Sequence, residues 1–347
     1  MENVSFFIPQ LTLGGVSSVT KKIAKGIIPN VKNVYILTLK KPSYESLYSV
    51  PEGIRVITLS NFFSFCKVLK KSKMVFPPSY HSVILSLMIY MFFGKKSVFI
   101  FDRCISSLIN GGLYSKLYYF SMKLLVPISC RIVFTYKLAF EEFKNQYSSH
   151  KHKAVLIYYP VDENFFSANS NTGVNKNIDI LYAGRLEEEK GVIYLIKAIE
   201  IIQKKNSDIK LTILGSGSQS VFLQDYCKIN HINNVDFIGE VNNVHDYMLR
   251  SKVFVLPSIS EGCASVIKEC IVSNLPVVVT SVDTGGPQEA IGHGEFGEIS
   301  EIKCPQSLAV NIEIALNKRY NQDFRSSVMV TSRVEYAGQK YIELLRL

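Results

Sequence analysis

Two doubly wound α/β domains, each a parallel sheet clothed in helices, are what this sequence predicts, on three observations. Short β-branched runs alternate with helical patterns from end to end, which is the signature of βα units around parallel strands. The alternation comes in two series, separated by the Ser/Asn/Gly-rich stretch 167–177, where the apolar pattern stops. The length of 347 residues holds two cores at roughly 100 to 200 residues per domain.

In the first series, strands are expected at 4–8, 34–39, 54–59, 74–76, 97–101, 131–135 and 154–158. Helical stretches lie between them at 16–27, 81–93 and 113–125. The second series opens with a strand at 178–183. A helix follows whose Val192, Leu195, Ile196 and Ile199 fall at i, i+3, i+4 and i+7. Strands at 211–214, 235–238, 253–256 and 276–280 continue it, with helices between. Ligands of such sheets bind beyond the carboxyl ends of the strands, and two such ends are expected to face each other across a cleft.

Composition excludes several classes. Hydrophobic residues at 47% and charged residues at 20% are those of a globular chain, not a disordered or collagenous one. Seven cysteines scattered without C-x-x-C argue for reduced thiols in the cytoplasm, against a disulfide scaffold or structural zinc. The His residues form no H-E-x-x-H, so a zinc hydrolase is not expected. The amino terminus lacks a positive n-region and a small-residue cleavage site, so no signal peptide is expected. The longest apolar run, 83–93, is far short of the ~20 residues a membrane-spanning helix needs.

Charge is divided unevenly. Residues 1–167 carry 21 Lys and Arg against 8 Asp and Glu, while the remainder carries 18 against 21. This asymmetry fits an anionic partner, though a Lys-rich solvated face needs none. Within the basic half, Phe62, Phe63, Phe65, Val68 and Leu69 alternate with Lys67, Lys70, Lys71 and Lys73. The stretch fits either an anionic membrane surface or a half-buried helix with lysine stems over its edge. Nucleic acid is not expected, because no recognised binding module occurs.

Three motifs carry chemistry. Ala183-Gly184-Arg185 to Lys190-Gly191 leaves a strand and opens a helix, so Arg185 and Lys190 are placed to hold a diphosphate. The same spacing also fits a solvated turn with Lys190 paired to Glu187 or Glu188. In the segment 258–269, Glu261 precedes a helix on which Ser265 and Glu269 share a face opposite Val266, Ile267, Cys270 and Ile271. Two carboxylates can then address two hydroxyl-rich parts of one ligand, with helix N–H groups near Cys263, Ala264 and Ser265 between them. Alone, Glu269 also reads as a surface helix residue. After the first strand, Gly14 and Gly15 permit close backbone approach to an anion. The loop is not G-x-G-x-x-G, and no acidic residue ends the second strand, which disfavours a nicotinamide dinucleotide. Gly215-Ser216-Gly217-Ser218 reads as a strand-end turn.

Taken in order, Gly-Arg-x(4)-Lys-Gly, Phe237-Ile238-Gly239, Ser260-Glu261-Gly262-x(6)-Glu269, Asn274-Leu275-Pro276 and Gly285-Gly286-Pro287-Gln288-Glu289 resemble glycosyltransferase family 4, over about residues 178–299. The first half adds Gly14-Gly15 and Tyr158-Tyr159-Pro160-Val161-Asp162, similar to the family's segment before its interdomain linker. The resemblance implies the GT-B fold, α/β with two Rossmann-like doubly wound domains facing a cleft. It implies an acceptor-binding domain at 1–167, a nucleotide-sugar-binding domain at 168–330, and a terminal helix at 331–347 returning to the first. By the same resemblance Arg185 and Lys190 grip the donor diphosphate, Glu269 binds ribose hydroxyls and Glu261 contacts the sugar. Backbone at Cys263, Ala264 and Ser265 holds sugar hydroxyls and phosphate, Gly239, Glu240 and Val241 meet the base, and Gly15 touches the phosphate. Asp102 stands where many members have a histidine, which makes it an acceptor-side residue. Cys263-Ala264 departs from the family's usual Phe-Gly or Phe-Pro and leaves the sugar open.

The expected activity is retaining transfer of a hexose or N-acetylhexosamine, first from a UDP-sugar, to a saccharide or polyprenyl-diphosphate-linked saccharide acceptor in surface polysaccharide (O-antigen or capsule) synthesis. No D-x-D occurs in the chain, so transfer is expected to need no metal and no cofactor beyond the nucleotide sugar. The expected location is cytoplasmic, peripheral on the inner membrane face. A nucleotide-sugar epimerase of similar architecture and a catalytically silent sugar-nucleotide-binding protein are the alternatives.

Overall fold

The computed structural model describes residues 2–12, 15–77, 80–101, 112–169 and 175–346. The chain divides into two units, residues 1–161 with 331–347 and residues 162–330. The division falls earlier than residue 167 because Phe165 and Phe166 are buried in the second unit. There Phe165 sits edge-on to His245, and its carbonyl accepts from the Ser273 hydroxyl.

In the first unit β1 (Asn3–Phe7) leads through α1 (Gly15–Ile27) to β2 (Asn33–Thr38), and through α2 (Tyr44–Tyr48) to β3 (Ile54–Thr58). Next, α3 (Phe62–Lys71) brings the chain back beside β1 as β4 (Ser72–Phe76). Then α4 (Tyr80–Phe93), β5 (Val98–Phe101), α5 (Leu113–Ile128), β6 (Arg131–Phe134), α6 (Lys137–Gln146) and β7 (Ala154–Leu156) follow. The sheet order is β3-β2-β1-β4-β5-β6-β7 with all neighbours parallel. Strand interiors such as Phe6, Ile36, Val75, Val133 and Phe134 are fully buried, as expected of strands covered on both faces.

The second unit repeats the plan. It runs β8 (Ile178–Ala183), α7 (Val192–Gln203), β9 (Leu211–Leu214), α8 (Ser220–Ile229) and β10 (Val235–Gly239), and α9 (Val244–Leu249) then returns the chain beside β8 as β11 (Ser251–Leu256). After these come α10 (Ser265–Val272), β12 (Val277–Thr280), α11 (Gly286–Ala290), β13 (Gly297–Ser300), α12 (Pro305–Asn317) and α13 (Gln322–Thr331). The order is β10-β9-β8-β11-β12-β13, again parallel throughout. Leu195, Ile196 and Ile199 of α7 and Leu308 and Ile312 of α12 close the core over this sheet. Chain order thus reverses between β1 and β4 and between β8 and β11.

Last, α14 (Val334–Arg346) packs along α1 within the first unit. Their crossing is a glycine pair: a Cβ on Gly26 would lie 2.4 Å from the Val334 carbonyl oxygen, and one on Gly338 would lie 2.1 Å from that of Gly26. No described helix is long and apolar enough to cross a membrane.

The expected strands form, most of them ending a residue or two from the expected limits, while β13 was not expected. Its Gly-Glu-Ile-Ser has one large apolar residue, too little for an alternation to show. Most of the basic-aromatic stretch is helix α3, with Phe65, Val68 and Leu69 buried and Phe62, Phe63, Lys67, Lys70 and Lys71 outward, whereas Lys73 lies half-buried on β4, paired with Glu2 and donating to the Leu345 carbonyl.

Candidate functional site

The site is built on β8 and β11, the neighbours at the reversal, where open α/β sheets bind ligands beyond their carboxyl ends. From β8 the chain turns at Gly184 and makes a short 3-10 turn, Glu188–Lys190. Gly191 then starts α7 with φ +63°, the left-handed region that glycine enters without strain. No side chain fits there either, since a Cβ would stand 2.2 Å from the Pro257 carbonyl oxygen of the β11 loop. The two loops are therefore in backbone contact, and the Glu189 carbonyl accepts from the Ile259 and Ser260 amides.

This contact brings together Lys190 and Glu261, 71 residues apart. The Lys190 ammonium donates to Glu261 Oε2 at 2.5 Å, with the side chains only 17% and 14% exposed. Neither Glu187 nor Glu188, the partners of the solvated-turn alternative, takes that role. Glu187 instead accepts from the Ser218 hydroxyl at 2.6 Å and its amide at 3.2 Å, which hold its carboxyl below the usual range. Arg185 reaches one turn on to Glu189 at 2.8 Å and stays 65% exposed. A pair so open to water contributes about 0 to 1 kcal/mol, so the guanidinium is only loosely held.

The glycine turn after β9, read from sequence as a turn alone, braces this loop. Leu186 donates its amide to the Ser216 carbonyl, and Gln219 donates to that of Leu186. A Cβ on Gly215 would stand 1.9 Å from the Gly184 carbonyl oxygen, and one on Gly217 2.4 Å from that of Leu186. Beneath them the buried Tyr182 donates its hydroxyl to the Arg185 carbonyl at 2.7 Å, and burial pushes its phenol well up. On the far side the Thr284 hydroxyl donates to the Glu261 carbonyl, and Gly286 presses on the Gly262 carbonyl.

The other expected residues fall as follows. Cys263, Ala264, Ser265 and Glu269 are half-buried, and Ala264 caps α10 without a side-chain hydrogen bond. Gly239 ends β10 with φ +85°, its carbonyl accepting from the Gly215 amide, while Glu240 accepts from the Ser216 hydroxyl and Val241 is half-buried. Gly15 opens α1 in the first unit, where a Cβ would meet nothing within 4 Å. Gly14 and Asp102 lie outside the described residues.

One correction concerns α10. Ile267, Cys270 and Ile271 are buried as expected, but Val266 is half-buried and Lys268 is buried instead. Burial lowers the Lys268 ammonium to about 8, with Cys263 and Glu289 acting in the opposite direction. Position 268 carries no apolar signal, so only the packing reveals it.

Known proteins share the fold and parts of the sequence. Residues 163–328 match the family model for glycosyl transferases group 1. An uncharacterized glycosyltransferase of Methanocaldococcus jannaschii is 27% identical over 90% of this chain and 88% of that protein. The Campylobacter jejuni N-acetylgalactosamine-N,N'-diacetylbacillosaminyl-diphospho-undecaprenol 4-alpha-N-acetylgalactosaminyltransferase is 26% identical over 73% of this chain and 71% of its own. Among solved structures, that of Anabaena Alr3699/HepE in complex with UDP and glucose is similar with a TM-score of 0.72, 16% identity and all of both chains covered. That likeness establishes the two-sheet GT-B architecture.

Proposed function

We propose that this chain, whose second unit is a group 1 glycosyl transferase domain, is a retaining glycosyltransferase of the family 4 type. It moves a hexose or N-acetylhexosamine from a nucleoside diphosphate sugar, UDP-sugars being the first candidates, to a saccharide held on a polyprenyl diphosphate at the inner face of the cytoplasmic membrane. The product is part of a surface polysaccharide. The observation that supports this most is the Lys190–Glu261 pair across the strand reversal, flanked by Arg185 and the α10 amino end.

Breaking the bond between sugar and phosphate leaves charge on the nucleoside diphosphate, and fixed donors aimed at that charge lower the barrier. Arg185, Lys190 and the first amides of α10 are those donors. When the donor arrives, Lys190 exchanges the Glu261 carboxylate for a phosphate oxygen, and Glu261 turns to the sugar hydroxyls. Glu269 holds the ribose hydroxyls, and backbone at Gly239–Val241 meets the base. Retention follows from attack on the leaving-group face, where a departing phosphate oxygen takes the acceptor's proton. The undecaprenol-linked substrate in the name of the Campylobacter jejuni relative supports the acceptor class.

Screening nucleotide sugars by the rise in melting temperature identifies the donor, and labelled transfer to added acceptor tests the reaction. Product that forms only with acceptor is expected; donor isomerised without acceptor indicates the epimerase. Arg185→Ala and Glu269→Ala are each expected to lower the rate at least about tenfold, or 1.4 kcal/mol. Transfer is expected to survive EDTA, and its abolition, restored by a divalent cation, would overturn the cation-and-amide mechanism.

A further inference from the structure

Helix α4 is packed the wrong way round for a water-facing helix. Its inward stripe is Ser82, Ser86 and Ile89, each at most 2% exposed, with the Ser82 hydroxyl donating to the Pro77 carbonyl. Its outward stripe is Ile84, Met88 and Met91, at i, i+4 and i+7, followed by Phe92; Met91 is 71% and Phe92 74% exposed. A helix that buries serines and leaves methionines and phenylalanine outside gains nothing from water on that side.

The neighbouring α5 repeats the pattern. It packs on α4 and buries Met122, Leu125 and Val126, while Leu117, Phe120 and Leu124 point outward at i, i+3 and i+7. Two apolar stripes on adjoining helices make a continuous face.

The rim of that face has one sign. Residues 53–140 contain 12 Lys and Arg and a single acidic residue, Asp102. Lys116 and Lys123 stand exposed on α5 beside the apolar stripe, and Lys95 and Lys96 follow the tip of α4. There the Lys95 ammonium donates to the Lys70 carbonyl, so the cationic end of α3 joins the same edge.

We infer that the α4–α5 face is a docking surface for an anionic lipid bilayer, with Met91, Phe92 and Phe120 entering the acyl boundary and the lysine rim meeting the head groups. A second copy of the chain fits less well, because pairing this face with itself would set two positive rims against each other. The inference rests on the reading that the acceptor is membrane-held, and it goes further by placing the contact on α4 and α5, beyond the aromatic lysine stretch of α3.

Flotation of the full chain with vesicles tests it without donor or acceptor. Vesicles of phosphatidylcholine with about one third phosphatidylglycerol are expected to carry the chain up, and pure phosphatidylcholine is not. Met91→Ser with Phe92→Ser is expected to cut the floated fraction about tenfold, while leaving the melting temperature and its rise with donor unchanged. Lys95→Glu with Lys96→Glu is expected to weaken flotation and flatten its salt dependence. Equal behaviour with both vesicle types, or a loss caused by Phe63→Ser on α3 but not by the α4 changes, overturns the assignment. So does a dimer in sedimentation that the α4 changes dissolve. Because donor-induced stabilisation is read separately, failure of docking is distinguishable from failure of the transferase reading.

Discussion

Lys190→Ala is expected to lower kcat/KM for the donor by about a hundredfold to a thousandfold, the range seen when one fixed donor to developing negative charge is removed. The loss has two physical sources. The ammonium no longer meets the diphosphate, and Glu261, only 14% exposed and 2.5 Å from that ammonium, loses its cation and keeps the Ser258 hydroxyl, 3.4 Å away, as a donor to the same oxygen. Removing one partner of a fully buried pair costs roughly 3 to 5 kcal/mol; with both side chains still partly wet, about 1 to 3 kcal/mol of stability is expected here. The double variant Lys190→Met with Glu261→Gln separates the two. It is expected to recover most of the urea stability and none of the activity. An alanine variant within threefold of the parent enzyme would remove Lys190 from the chemistry.

Gly191→Ala is expected to be as damaging by a steric route. At φ +63° any L-residue carries roughly 1 to 2 kcal/mol of backbone strain, but strain is the smaller part. The new methyl would stand 2.2 Å from the Pro257 carbonyl oxygen, so the β8 and β11 loops must part, taking Lys190 away from Glu261. Gly94 provides a matched control, having the same φ of +63° with nothing within 4 Å of its Cβ position. Gly94→Ala should therefore show the strain alone, with activity on a soluble acceptor retained. Gly191→Ala should show an additional loss of about 2 kcal/mol or more in denaturant unfolding, together with loss of transfer. Equal effects from the two changes would mean that the loop contact matters little.

What could be read beforehand follows from what each signal encodes. Strands such as β5 and β12 were legible because both of their faces are buried, so their sequences are unbroken runs of large or β-branched residues. The Arg185–Lys190 and Glu261–Glu269 segments were legible as motifs because each is local and follows a strand, β8 or β11. The pairing of Lys190 with Glu261 was not, since a sequence gives no distance across 71 intervening steps; only the backbone contact at Gly191 fixes it. Lys268 shows the same limit, because the packing around α10 buries a residue type that normally reads as solvent-facing. The orientation of α4 was likewise hidden. A run with apolar residues on every side has no preferred face, so only the packing shows that Ser82 and Ser86 lie inward.

The glycine crossing of α1 and α14 has a consequence for how the protein is made. Synthesis proceeds from the amino end, and domains generally fold as units while the chain is still emerging. The second unit is one unbroken stretch and can close as soon as it leaves the ribosome. The first must wait for residues 331–347, because α14, the helix that covers α1, is translated after the whole of the second unit. A premature stop at 332 would delete no residue of the second unit, yet it would leave the first without the helix that covers α1 and prone to sticking to its neighbours.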